Sequence, residues 1–287
     1  ETIYEKALKA RSFDILRSFL PAGITTQLSW HTNLRQAFDK ISLLRHHPLK
    51  ETREIAETIH NKLKEKYPHS FSHELAEPQE NYRQFLNNNY NYYVSDFPEV
   101  EFACRTNIKN HELEYYMDIF DSRPERIGLP HFLTELGHVT FDFKLDYGSF
   151  RDIQRHRNGV CRMPILTTDL SFNTWYLNQM PDDLQREAIN LINNQIKLIS
   201  KLDCPSTIKQ YYIALGFNVA CRVTYGLPAA LYTIELRSGR MVHPTLRTVA
   251  HKMHHALKEK FPDLTLYCDL SLDDWDVRRG LQDITER

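Results

Sequence analysis

Residues 138–157 read HVTFDFKLDYGSFRDIQRHR, and the change of period inside this stretch decides the fold class. Up to Tyr147, apolar and polar residues alternate: Val139, Phe141, Phe143 and Leu145 on one side, Thr140, Asp142, Lys144 and Asp146 on the other. Successive side chains of a strand point to opposite faces, so the pattern predicts a half-buried strand. Gly148 ends it. Ser149 to Arg157 then has helical spacing, with Ser149 as the expected N-cap and Phe150 and Ile153 turned inward. The segment closes on Arg155, His156 and Arg157 and runs into NGVCRMP, residues 158–164. Such a basic end has two readings: a solvated helix terminus that complements the dipole, or a grip on an anion such as phosphate.

Composition bounds the choice. The chain has 287 residues, 41% hydrophobic and 25% charged, which is ordinary for one large domain or two small ones. A formal net charge of −1 gives no overall attraction to nucleic acid or anionic membrane, so any anion site must be local. Cys104, Cys161, Cys204, Cys221 and Cys268 form no CxxC pair, which speaks against a metal cluster or disulfide framework and for a reducing, cytoplasmic setting. The longest apolar run, around Ile213 to Val223, is interrupted by Gly216, Asn218 and Arg222 and is too short to span a bilayer. GxGxxG and GxxxxGK[ST] are both absent. No signal peptide is visible. The opening on Glu1 gives the expectation that an upstream portion precedes it.

A long-range match is the next observation. Residues 44–68, LRHHPLKETREIAETIHNKLKEKYP, and residues 236–262, LRSGRMVHPTLRTVAHKMHHALKEKFP, align without gaps from Arg53 and Arg247 onward. Ala56 pairs with Ala250, His60 with His254 and Leu63 with Leu257, and both segments carry Leu-Arg upstream. Each has the spacing of a helix with one buried face. We read this as an internal duplication whose unit reaches back to about Ala10 and Thr207, with a further helix expected in each of 17–43 and 208–235. Residues 72–96 are polar and Asn/Tyr-rich, and read as a linker or exposed excursion. Stacking of RNA on Tyr90, Tyr92 and Tyr93 has little support without interleaved cations. The expected organisation is 1–71, the helical end of a first repeat; 72–96, a linker; and 97–287, a second repeat. Further helices are expected over 110–121, 131–137 and 181–202, the last burying Leu184, Ala188, Leu191, Ile192, Ile196 and Ile199.

The strand HVTFDFKL, the RHR beyond it, two long helices and the segment Glu235-Leu236-Arg237 together resemble the flavin-dependent thymidylate synthase (ThyX) superfamily, whose hallmark is RHRxxSxNxxSxRY. Residues 10–71 retain Leu20-Pro21, Asn33-x-Arg35 and Leu44-Arg45 of its downstream segment. The likeness covers 97–265 and, separately, 10–71. Two departures stand out: NGVCRMP replaces the serine-bearing half of the hallmark, and Tyr225-Gly226-Leu227-Pro228 stands where the second copy should carry Asn-x-Arg.

The resemblance implies an α+β fold, an antiparallel sheet flanked by long helices. It also implies reductive methylation of dUMP with methylenetetrahydrofolate, FAD passing hydride from NADPH. It would place Arg155, His156, Arg157, Asn33 and Arg35 at the cofactor, Arg45, Arg162 and Arg237 at the substrate, and Arg237 at the polarised pyrimidine as well. Its members are homo-oligomers; here a pseudo-symmetric tandem assembly is the counterpart. No membrane or nucleic-acid partner is implied. Two other readings remain open: a degenerate homologue that binds nucleotide or flavin or serves as a structural subunit, and a flavin- or folate-dependent enzyme acting on another pyrimidine, free or in RNA. Cys161 has no His-Asp relay nearby and reads as a packed thiol. His251, His254 and His255 lack the glutamate of HExxH and read as surface or interface histidines, with no metal expected.

Overall fold

A computed structural model of the chain describes residues 2–71, 76–93, 95–98, 100–273 and 275–281. Among them, the strands are β1 (Phe102–Thr106), β2 (His138–Asp146), β3 (Gly159–Arg162) and β4 (Asn218–Gly226). They form one antiparallel sheet in the order β1-β2-β4-β3. Helices α1 (Ile3–Arg17), α2 (Leu34–Leu44), α3 (Lys50–Lys66) and α4 (Glu77–Leu86) precede it in the chain. Helix α5 (Tyr147–Ile153) comes directly after β2, α6 (Asp182–Ser200) lies between β3 and β4, and α7 (Leu227–Ser238) and α8 (Pro244–Lys260) come after β4. The class is α+β, an antiparallel sheet flanked by helices. No helix among the described residues is long and apolar enough to cross a membrane.

Strand β2 lies where its alternation predicts. Val139, Phe141, Phe143 and Leu145 are all buried, in one core cluster with Val219, Cys221, Val223 and Tyr225 of β4 and with Leu246, Val249, Met253 and Leu257 of α8. Its second face is closed as well, because Asp142 is buried there by charge. Arg105 of β1 donates to Asp142 Oδ2 at 2.7 Å and Arg222 of β4, directly opposite in register, donates to Oδ1 at 2.6 Å. Arg222 also reaches Asp96 and lies over the Phe97 ring. Buried charges persist only when paired, and this chain of ions satisfies that condition.

Several local expectations change. Residues 208–235 are not one helical stretch: 218–226 is a strand, because its buried Val219, Cys221, Val223 and Tyr225 fall at period two. Only after Gly226, with Pro228 in the first turn, does a helix begin. Residues 17–43 are helical again only from Leu34. Residues 131–136 form 3-10 turns, and 110–122 divides into three short helical pieces. In α6, Ala188, Ile192 and Ile199 are buried but Leu184 and Leu191 are exposed.

The polar excursion 72–96, whose residues 72–75 and 94 lie outside the described set, contains α4 and a π-helical turn at Asn87–Asn91. Its polarity serves contacts. Asn87 is fully buried and donates to Leu43 O at 2.8 Å, and Glu80 accepts from His46 at 2.9 Å.

The helix pairs α2–α3 and α7–α8 use their aligned residues alike. Arg53 donates to His47 O (2.7 Å) and Pro48 O (2.9 Å), and Arg247 donates to Ser238 O (2.7 Å), each tying its helix to the turn before it. Ala56 and Ala250 are both buried. The helices end in matching geometry, at Tyr67 (φ −132°, ψ 63°) and Phe261 (φ −134°, ψ 77°).

Candidate functional site

Helix α5 starts one turn earlier than its composition suggests. Asp146, and not Ser149, is the N-cap: its Oδ2 accepts from Ser149 N at 2.8 Å. A carboxylate at the last strand residue satisfies the free amide and suits the helix dipole. The helix therefore ends at Ile153, and Arg155, His156 and Arg157 lie in the turn beyond it, where His156 N donates to Ile153 O. This turn leads into the edge strand β3. Gly159 sits opposite Tyr225, and a Cβ on it would lie 2.2 Å from the Tyr225 ring and 2.5 Å from Thr224 O. The absence of a side chain is what lets the turn close onto β4.

Helix α7 supplies the other wall. Leu227, Ala230, Leu231 and Ile234 face the core, whereas Ala229, Tyr232, Thr233, Leu236 and Arg237 line a cleft with Arg155, His156, Arg157 and Asn158. Arg237 holds the two walls together. Its Nε donates to His156 Nε2 at 2.9 Å and its Nη2 to Asp152 O at 2.9 Å. Since His156 accepts at Nε2, its proton resides on Nδ1. Burial, with the Arg237 charge second, pushes the His156 pKa down to about 4, so the imidazole is neutral at pH 7.

The cleft measures about 720 Å³ and is lined also by Gly128, Leu129, His131 and Thr134. Three arginines are among its lining residues, and no Asp or Glu is among the described residues that line it. Asp152 pairs with Arg155 at 3.2 Å from just outside. Glu235 is turned away, into a two-pronged ion pair with buried Arg123 (2.5 and 3.0 Å). A cavity of this size, with several fork-shaped cations and an aromatic edge at Tyr232, suits a phosphorylated ligand.

The remaining residues singled out by sequence do not join this cleft. Asn33 caps α2, accepting from Gln36 N at 2.9 Å, and Arg35 lies exposed on the same helix. Arg45 is held by Glu57 (2.6 Å) and Glu80 (3.5 Å). Arg162 faces a second cleft of about 460 Å³, between residues 22–52 and the sheet unit, lined also by Tyr92, Tyr93, Tyr147 and Tyr211. There it shares Asp96 with Arg222 (3.7 and 3.2 Å). Burial pushes the Cys161 thiol up to about 12, which removes it as a nucleophile at neutral pH. His251 contacts Asp269 O at 2.9 Å, and no group of three potential metal ligands occurs among the described residues. Tyr232, Thr233, His131 and Thr134 line the cleft without standing out in the sequence. Tyr232 carries a usable signal, since 229, 232 and 236 repeat at helical spacing opposite the buried face, whereas Thr233 is itself buried.

Residues 1–69 match the family model of thymidylate synthase complementing protein, a span that contains Asn33, Arg35 and Arg45 but not the cleft. The UPF0159 protein Ta1429 of Thermoplasma acidophilum is 25% identical over 91% of this chain and 60% of its own length. A UPF0159 protein of Chlamydia muridarum is 23% identical over 88% of this chain and 56% of its own. The chain thus spans somewhat more than half the length of these relatives. A solved thymidylate synthase X of Helicobacter pylori, crystallised with FAD and dUMP, matches 57% of this chain at 13% identity, covering 97% of its own chain, with a TM-score of 0.40. That likeness is too loose to fix a fold.

Proposed function

We infer, for a chain whose residues 1–69 match the model of the thymidylate synthase complementing protein family, that the Arg155–Arg157–Arg237 cleft binds the phosphate of a nucleotide or flavin as part of a ThyX-like site. The observation that carries this is the concentration of three arginines, without a carboxylate among the cleft's described residues, on a protein of net charge −1. Arg157 and Arg237 hold phosphate oxygens by charge-assisted bonds, and Arg155 adds a third cation at the rim. Neutral His156 orients Arg237 and leaves the rest of its fork for ligand. FAD bound here would supply hydride transfer from NADPH for methylation of dUMP by methylenetetrahydrofolate. On this reading the residues that the cleft lacks, Asn33, Arg35, Arg45 and Arg162, serve a site completed by another unit of a tandem or homo-oligomeric assembly. The shared geometry of α2–α3 and α7–α8 supports reading 1–71 and 97–287 as two repeats joined by 72–96.

A second reading keeps the anion grip and drops the thymidylate chemistry. What favours it is the rewritten signature: Gly159–Arg162 within NGVCRMP forms an edge strand whose thiol, Cys161, is held protonated. Three measurements on the purified chain separate the outcomes. Oxidised-flavin absorbance, or uptake of added FAD, with tritium release from dUMP labelled at C5 supports the full reaction. Binding of dUMP or FAD without tritium release supports the second reading. Failure to bind dUMP, FAD and pyrophosphate alike refutes the cleft as an anion site.

A further inference from the structure

Helix α6 carries more apolar surface than the fold uses. Ala188, Ile192 and Ile199 go into the protein, yet Leu184, Leu191 and Leu198 remain 51%, 55% and 51% exposed. These leucines recur every seven residues, so they form one nearly straight stripe along the helix, about 21 Å from first to last. At 100° per residue this stripe lies roughly a quarter-turn from the buried face. Three aligned leucines, each half in water, differ from the scattered apolar residues that any surface shows. Beside the N-terminal half of the stripe an apolar groove of about 650 Å³ opens, walled by Ile15, Leu16 and Phe19 on one side and Met180, Leu184 and Leu191 on the other. Leu16 is itself largely exposed.

The charges flanking the stripe decide what fits it. On its solvent side the N-terminal half carries Asp183 and Glu187, with exposed Arg186 farther round the helix, the middle Asn190 and Asn194, and the C-terminal end Lys197 and Lys201. Acid at one end and base at the other, with uncharged amides between, is self-complementary when a second such helix runs the opposite way. A parallel copy would set acid against acid and base against base. We propose that α6 is a self-association surface: two copies of this chain pair antiparallel along Leu184, Leu191 and Leu198, about a two-fold axis at Leu191. Each Leu198 then packs against Leu184 of the second copy, at the mouth of the apolar groove. Asp183 and Glu187 face Lys201 and Lys197 across the rim. The interface is isologous, as a closed dimer requires. It does not rest on the nucleotide reading, since α6 contributes nothing to the arginine cleft.

Sedimentation equilibrium of the 287-residue chain across the micromolar range is expected to show a monomer–dimer equilibrium. Leu191→Glu sets two carboxylates against each other on the axis and is expected to weaken dimerisation by about tenfold or more, as for a central interface residue. Its circular dichroism should be unchanged, because the side chain is exposed. Asp183→Lys should weaken the dimer, and adding Lys201→Asp should restore it. Cysteines distinguish the orientation, with the wild-type chain as control for the native thiols. A mixture of Leu184→Cys and Leu198→Cys chains should form a disulfide-linked dimer under mild oxidation, whereas neither variant alone should exceed the control. A chain that stays monomeric throughout overturns the proposal and leaves the stripe to a different partner. A dimer indifferent to Leu191→Glu, or a 184–184 cross-link in place of 184–198, overturns it equally.

Discussion

Replacing Arg237 with alanine removes two things at once. Within the protein it deletes the hydrogen bonds to His156 Nε2 and Asp152 O, both at 2.9 Å. Toward ligand it deletes one of the three arginines among the cleft's lining residues. A hydrogen bond with one charged partner contributes about 1.5–3 kcal/mol, so loss of a single phosphate contact corresponds to a rise of roughly 10- to 150-fold in Kd. Calorimetry with dUMP, FAD and pyrophosphate at fixed ionic strength reads this directly. Arg237→Lys should recover only part of the loss, because a point charge cannot hold both walls and the ligand as a fork does. His156 is an internal reporter. Its pKa is about 4 because of burial first and the Arg237 cation second, so in Arg237→Ala it should rise toward the ordinary value of 6.5, as seen by titrating its ring protons by NMR. A Kd within about twofold of wild type, together with a His156 that still titrates near 4, would refute the assignment of Arg237 to the cleft.

Three further outcomes test the frame that holds the site. Gly159→Ala would drive a methyl into the Tyr225 ring and the Thr224 carbonyl; a loss of about 1–3 kcal/mol in urea unfolding and weaker ligand binding are expected. Asp142→Asn would remove the buried carboxylate that Arg105 and Arg222 share, leaving Arg222 only the exposed Asp96, and should destabilise by about 3 kcal/mol, with little change if the pair were solvated. His243 is buried among Ser149, Thr245, Trp175 and Tyr176, and its pKa is pushed down to about 3 by burial and then by Arg17, Arg279 and Arg11. Between pH 6.5 and 3 the unfolded chain therefore binds a proton that the folded chain refuses, and stability falls as pH drops through that window. Urea unfolding should show a loss of roughly 2 kcal/mol between pH 7 and pH 5. His243→Phe should make the slope shallower by about that amount while the share of His156, whose pKa is also lowered, remains, and an unchanged slope would remove His243 as a source.

Much of the site's frame is legible in the sequence because its signals are local. The alternation of 138–146, the RHR beyond it and the face of α8 each depend on neighbours within a few residues, where backbone geometry fixes which side chains share a face. Even there, the start of α5 differs by one turn. Ser149 and Asp146 both have the chemistry of an N-cap, and the strand's last carboxylate takes the role. The strand at 218–226 is equally present as an alternation, but reading 208–235 as one helix of a repeat masks that pattern.

The sequence by itself determined that a half-buried strand over 138–146 runs into a helical segment with a basic end, and that 44–68 and 236–262 share one pattern of Arg, Ala and Leu. Only the tertiary structure decided what the turn meets. Arg237 reaches His156 across 81 positions of chain, whereas Asn33, Arg35, Arg45 and Arg162 are drawn to caps and carboxylates elsewhere. It also left the leucines of α6 in solvent. The physical reason is the same in each case. Periodicity says which residues share a face, but what that face packs against depends on long-range closure of the sheet and on competition among partners distant in sequence.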